Sequence, residues 1–296
     1  MASDSRQGAL VWAMPAVFVV IWASGFVVAR FGMPYSPPMK FLALRYVLSV
    51  LCFAAWALLA RAAWPSSRRQ VGHLAVVGVL MHAGYLGGVW SAVKLGMGAG
   101  LASLLVGLQP VLTAIWVSSW GGRVTSRQWT GLALGFAGLG LVVWNKLGHG
   151  EVSPANLLCA CIALVSITVG TLYQKRFVAP CDVRTASLVQ LSAAFAVTLP
   201  LALLETETMN WAPELVGSMA WSVLGMTLGG SSLLYLLIQR GAATSVTSLL
   251  YLVPPTTALM AWLLFREPIT VLTLAGMALT AFGVSLVVRA AAPAKA

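Results

Sequence analysis

Apolar residues along this chain neither alternate at a strand period nor mark one face of a helix; they fill long continuous blocks separated by short clusters of Gly, Pro, Arg and Lys. About ten such blocks can be drawn, at 9–29, 38–60, 71–93, 99–120, 129–144, 155–173, 185–204, 215–238, 244–265 and 271–288. A hydrocarbon core about 30 Å thick needs about 20 apolar residues per crossing helix, so each block predicts one transmembrane helix. A spanning β-barrel would instead show strands of alternating polarity, which are absent from the pattern. The expected fold is an all-α integral membrane protein of ten transmembrane helices with connections too short for a second domain. The first block is too long for a signal peptide and lacks an A-x-A exit, which predicts a retained helix. No lipid-anchor motif is visible.

Composition agrees, with 59% hydrophobic and only 8% charged residues. The net charge of +11 raises the question of nucleic acid, and its distribution answers it. With ten helices both termini share a side, and that side's connections hold Arg61, Arg68, Arg69, Arg123, Arg127, Lys175, Arg176, Arg184 and Arg240. The opposite side holds fewer basic residues and the acids Glu205, Glu207 and Glu214. This is the positive-inside bias, which places both termini in the cytoplasm of an inner-membrane protein. The basic residues are scattered over short loops without interleaved aromatics, so no nucleic-acid partner is expected. Cys52, Cys159, Cys161 and Cys181 form no C-x-x-C pair, and no metal or cofactor is expected.

The chain is also self-similar. Pro110 and Pro255 lie 145 positions apart, and the same offset places Ser103, Leu104 and Leu105 on Ser248, Leu249 and Leu250, Gly131 and Gly138 on Gly276 and Gly283, and Gly25 on Gly170 without a gap. Two repeats follow, 1–148 and 149–296, each of five helices. Five is odd, so the second copy must enter the membrane from the opposite side, related to the first by a pseudo-twofold axis in the membrane plane. Inverted repeats of this kind are typical of alternating-access transporters. A duplicated scaffold without transport is the plainer alternative.

Pro110, Pro254 and Pro255 sit inside apolar blocks, where a missing N–H and a clash with the preceding turn bend a helix. They predict that helices four and nine are kinked and act as gates, or, more simply, that they carry static bends.

The runs IWASGFVVAR in helix one and ALRYVL in helix two, the QP and PP centres of helices four and nine, FREPIT after helix nine, and the Gly-rich fifth and tenth helices together resemble the drug/metabolite transporter superfamily. Within it the chain is similar to the ten-helix EamA branch and to YddG-type exporters of aromatic amino acids. The resemblance implies a multi-pass transporter. The chain departs from the pattern at Gly122, where the second repeat has Glu267, which makes that loop glutamate structural rather than part of a substrate path.

For a substrate site, His82, Leu86, Trp90 and Lys94 are spaced at i+4 on one face of helix three and map by the offset onto Thr227, Ser231, Tyr235 and Gln239 of helix eight. Tyr85 lies beside this stripe. Ser103, Gln109, Ser248 and Tyr251 on helices four and nine, with Trp22, Ser24, Thr171, Tyr173 and Gln174 on helices one and six, extend the candidate lining. Lipid-facing or interfacial anchoring stays open for Trp22, Trp90 and Tyr173, and His82 stays open as a core histidine. Arg45 and Lys94 are candidates for holding an anion, or are interfacial charges.

An aromatic cavity with few charges suits a small amphipathic cargo, foremost an amino acid with a large apolar side chain. Drugs, sugar nucleotides and sugar phosphates are the alternatives. No Asp or Glu lies inside a predicted span, which favours facilitated export, with His82 the group that titrates nearest neutral pH. Histidines at 73, 82 and 149 cannot assemble a nucleophile, base or metal cluster, so no enzyme is expected. The expected partners are lipid and a small-molecule substrate, with the protein a monomer.

Overall fold

The computed structural model describes residues 2–119, 125–147, 150–230, 233 and 252–291. Every regular element among them is helical. Helix α1 spans Ala2–Gly32, α2 Pro38–Leu59, and α3 Arg68–Lys94 with a π-helical stretch at Val79–Gly84. Helix α4 comprises Ala99–Val106 and, after a break, Gln109–Ser119. Then come α5 (Ser126–Leu147), α6 (Pro154–Phe177) and α7 (Val183–Leu204). Helix α8 begins at Pro213–Ala220 and continues as a π-helix over Trp221–Gly230. Helices α9 (Val253–Phe265) and α10 (Val271–Ala291) complete the described chain.

Seven of these, α1 to α7, are long and apolar enough to cross a membrane; α9 and α10 are shorter apolar helices. The eighth and ninth predicted blocks extend into residues outside the described set. Helix ends overrun the apolar blocks by a few residues because polar caps lie just beyond them. Ser67 accepts from the Gln70 N–H, and Ser153 and Asn156 form a reciprocal capping box. Asp182 caps α7, and the Arg184 side chain bonded to it holds its carboxyl below the usual carboxylate range.

Consecutive helices alternate in direction, as their ends show. At one face Glu205 accepts from the backbone N–H groups of Met39 (2.9 Å) and Lys40 (2.8 Å), the Asn210 N–H donates to the Tyr35 carbonyl (2.8 Å), and Lys94 pairs with Glu207 (2.7 Å). At the same face Asn156 donates to the Leu95 carbonyl and Asn145 to Thr270. At the other face Gln70 bonds the Ala179 carbonyl and Thr185 that of Ala63.

Glu267 belongs to the first face. Its carboxylate accepts from Ala99 N–H at 3.1 Å, at the start of α4, and lies 4.0 Å from Arg30 Nε. A carboxylate here satisfies an orphan donor and the positive end of the helix dipole. Glu267→Ala should therefore lower stability by about 1 kcal/mol, seen as a melting point in detergent lower by about 2–4 °C. An unchanged melting point would show that water replaces the cap.

Helix α5 packs along α10, and the two run antiparallel with glycine at the contact. A Cβ built on Gly131 would lie 2.5 Å from the Gly283 carbonyl oxygen, and one built on Gly138 would lie 2.5 Å from that of Gly276. In lipid, where water does not drive helices together, such close backbone approach is what small residues provide. The larger core, holding Phe41, Tyr46, Phe53 and Trp90, is assembled by α2 against α7, α3 against α6, and α1 against α9.

Candidate substrate cavity

A cavity of about 130 Å³ lies among α1, α2, α3, α6 and α8. Helix α1 contributes Trp22, Gly25 and Phe26; α2 contributes Arg45; α3 contributes Met81, His82, Tyr85 and Trp90; α8 contributes Met226 and Thr227. A second crevice, beside Lys146 and Glu267, holds only about 20 Å³, room for about one water molecule.

Two π-helical stretches build the cavity wall. A π turn closes i to i+5 bonds, so carbonyls and side chains shift from α-helical register, and such turns are frequent at functional sites. In α3 the His82 carbonyl accepts from the Tyr46 hydroxyl at 2.9 Å. In α8 the Thr227 hydroxyl donates to the Ser222 carbonyl, five residues back, at 2.8 Å. That hydroxyl also accepts from Arg45 Nη2 at 3.2 Å. Across the bundle the Gln190 side chain of α7 lies against His82. These two contacts are equivalent under the 145-residue offset, which carries Arg45 to Gln190 and His82 to Thr227. The glycines behave alike: a Cβ on Gly25 would meet the Met226 side chain, and one on Gly170 the Met81 side chain.

Arg45 is 5% exposed and its guanidinium carbon sits 5.5 Å from the Trp90 ring centre. Its Nε and Nη1 donors have no hydrogen-bond partner, and neither has the indole N–H of Trp90, itself 1% exposed. Arg45 therefore faces inward, not to the interface.

Of the residues singled out in the sequence, His82, Tyr85 and Trp90 come together on this wall, with Trp22 opposite. Ser103 is buried within α4, donating to the Gly100 carbonyl at 2.8 Å. Gln109 bridges to Thr171 of α6 at 2.9 Å. The Tyr173 hydroxyl pairs with His73 Nδ1 at 2.8 Å, its ring 4.7 Å from that of Phe177, away from the cavity lining. Lys94, at the end of α3, is held by Glu207. Ser231, Tyr235, Gln239, Ser248 and Tyr251 lie outside the described residues.

Pro110 is the second residue after the break in α4, while Pro254 and Pro255 occupy the first turn of α9, where no N–H is required. The two proline-bearing elements touch: a Cβ on Gly107, at the α4 break, would lie 3.0 Å from Pro254 Cγ. Sequence reasoning did not single out Gly25, Met81, Gln190 or Met226. The offset would have paired Arg45 with Gln190 and Met81 with Met226.

The EamA-like transporter family model matches the chain twice, at residues 8–144 and 155–289. The inner membrane transporter YedA of Escherichia coli (strain K12) is 25% identical over 271 residues, covering 90% of this chain and 87% of its own length. The transporter YvbV of Bacillus subtilis (strain 168) is 26% identical over 282 residues, 92% of this chain and 89% of its own. A probable amino-acid metabolite efflux pump of Salmonella typhimurium is 28% identical over 159 residues, about half of each chain. A crystal structure covering 93% of this chain and 95% of its own superposes with a TM-score of 0.63 at 18% identity, a likeness of fold. Two family matches that together span nearly the whole chain, on a bundle of membrane-crossing helices, show that this multi-pass membrane protein belongs to the EamA-like transporter family.

Proposed function

We propose that the chain is a secondary exporter of small amphipathic metabolites, foremost amino acids with large apolar side chains, that works by alternating access between two inverted five-helix repeats. The observation that carries this reading is the cavity itself, largely aromatic and apolar, with one guanidinium among its described residues, walled by π-helical stretches at equivalent positions under the offset. The Salmonella relative named as an amino-acid metabolite efflux pump is in keeping with the cargo class.

The inverted architecture is supported by the α5–α10 seam. The offset carries Gly131 to Gly276 and Gly138 to Gly283, so it exchanges the contact of Gly131 with Gly283 for that of Gly276 with Gly138. A twofold axis perpendicular to two antiparallel helices produces this exchange. With ten spans, the face holding Arg68, Lys175 and Arg176 is the cytoplasmic one, both termini lie there, and the protein resides as a monomer in the inner membrane. His82, Tyr85 and Trp90 contact cargo, and so do Ser231, Tyr235 and Gln239, the sequence counterparts of Leu86, Trp90 and Lys94 under the offset. Ser103, Gln109, Tyr173, Ser248 and Tyr251 are further candidates for substrate binding, and Pro110, Pro254 and Pro255 bend as gates. No acid lies within the described spans, so export runs down the cargo gradient.

Uptake of labelled amino acids into proteoliposomes is the test. Saturable flux of phenylalanine and other large apolar amino acids is expected, reduced in His82→Ala and Tyr85→Ala at unchanged folded yield. Flux no greater than in protein-free liposomes for the whole panel would overturn the reading.

A further inference from the structure

We infer that Arg45 and the indole N–H of Trp90 form a carboxylate-binding corner of the cavity, so that cargo is recognised through its acid group and not through its ammonium. This rests on the cavity being the cargo site. It adds which end of the cargo the protein grips and which cargoes it turns away.

The reasoning begins with charge. A guanidinium stays protonated in any protein environment and carries five N–H donors. Removing it from water is costly unless it is paired and hydrogen-bonded, and an ionisable group inside a membrane span marks a functional site by default. Arg45 has one hydrogen bond, to the neutral hydroxyl of Thr227, and the face of Trp90. Two of its donor atoms remain unpartnered, and the buried Trp90 N–H beside it is unpartnered as well.

Among the described side chains no acid is placed to answer them. The chain has seven Asp and Glu residues. Glu205, Glu207 and Glu267 are engaged at the face where Lys94 and Arg30 lie, and Glu151 pairs with Lys146 there. Asp182 is bonded to Arg184 at the opposite face. Glu214 stands in the first turn of α8, and Asp4 precedes the membrane-crossing part of α1. The counter-charge to Arg45 must therefore enter the cavity from outside the chain. A carboxylate supplies two acceptor oxygens for the guanidinium and the indole N–H, and charge-assisted hydrogen bonds of this kind are about twice as strong as neutral ones.

The rest of the lining fits the other end of such a molecule. Trp22, Phe26, Met81 and Met226 offer an apolar, deformable surface to a large side chain, and no lining acid waits for an ammonium. The repeat-equivalent of Arg45 is the neutral Gln190, so among the described residues the corner has no charged counterpart under the offset.

The experiment compares three probes that share a phenyl ring: L-phenylalanine, 3-phenylpropanoate, which lacks the amine, and phenethylamine, which lacks the acid. Binding to the full-length protein in nanodiscs is measured by titration calorimetry. The native protein should bind the two acids, and phenethylamine more weakly by about tenfold or more. Arg45→Gln should weaken both acids by a similar factor and should not weaken phenethylamine, whose ammonium the guanidinium repels. Trp90→Phe should weaken the acids by less, and Arg45→Lys should restore part of the loss, since it returns the charge without the planar fork. Phenethylamine binding as tightly as 3-phenylpropanoate, or Arg45→Gln binding the acids normally, would overturn the inference. The two readings separate cleanly. Binding of 3-phenylpropanoate but not phenylalanine leaves the carboxylate corner standing and removes the amino-acid cargo; equal binding of phenylalanine and phenethylamine does the reverse; no binding of any probe removes both. If Arg45→Gln does not fold, the probe series on the native protein and Trp90→Phe decides.

Discussion

Gly138→Leu will fail to accumulate as folded protein. Even its first carbon would lie 2.5 Å from the Gly276 carbonyl oxygen, 2.5 Å from Thr280 Oγ1 and 2.6 Å from Thr280 N. Two of those atoms are backbone, which has no rotamer to retreat into, so α5 and α10 must separate along their length. Overpacking a dense interior costs about 1–3 kcal/mol where side chains can move, and more is expected here, against a typical total stability of about 5–15 kcal/mol. Gly276→Leu should behave the same, because its Cβ meets the Gly138 carbonyl oxygen at 2.6 Å. Gly140, two residues along α5, has nothing within 4 Å, and Gly140→Ala should fold as well as the native chain or better, alanine being the stronger helix former. Size-exclusion profiles and melting curves in detergent read all three. A monodisperse Gly138→Leu protein with a native melting point would mean that the seam is not a rigid contact.

Gly25→Phe is expected to do the opposite, sparing the fold and stopping transport. Gly25 faces the cavity from α1, and its added Cβ meets only the Met226 side chain, at Cε and at Sδ (3.3 Å). An unbranched thioether can swing aside, so a phenyl ring can occupy the space of about 130 Å³ that cargo would use. Amino-acid flux into proteoliposomes should fall to the level of protein-free vesicles while the melting point stays close to native. Gly25→Ala should produce an intermediate rate. Normal flux in Gly25→Phe would show that cargo travels by another route.

The contrast between these glycines shows what a sequence of this kind reveals. Spans α1 to α7 are legible because lipid demands apolar side chains on every outward face, and their ends because caps such as Ser67, Ser153 and Asp182 are polar. That same demand hides orientation. A helix apolar all round has little amphipathic phase, so the sequence cannot say that Arg45 points inward while Tyr173 turns to His73. His82 and Trp90 drew notice because their i+4 spacing had a counterpart 145 residues on, and Tyr85 because it lies beside that stripe. The π-helical stretches were not, because a change of backbone register leaves no mark in composition.

Those stretches also carry a record of history. A π turn arises when one extra residue is accommodated within an α-helix without breaking it. The stretch Val79–Gly84 maps by the offset to 224–229, inside Trp221–Gly230, and the offset is 145 both before it, from Gly25 to Gly170, and after it, from Ser103 to Ser248. Had one half acquired its extra residue alone, the spacing would change by one across the helix. Both family matches therefore carry a π turn at equivalent positions, and neither gained or lost a residue relative to the other across that helix.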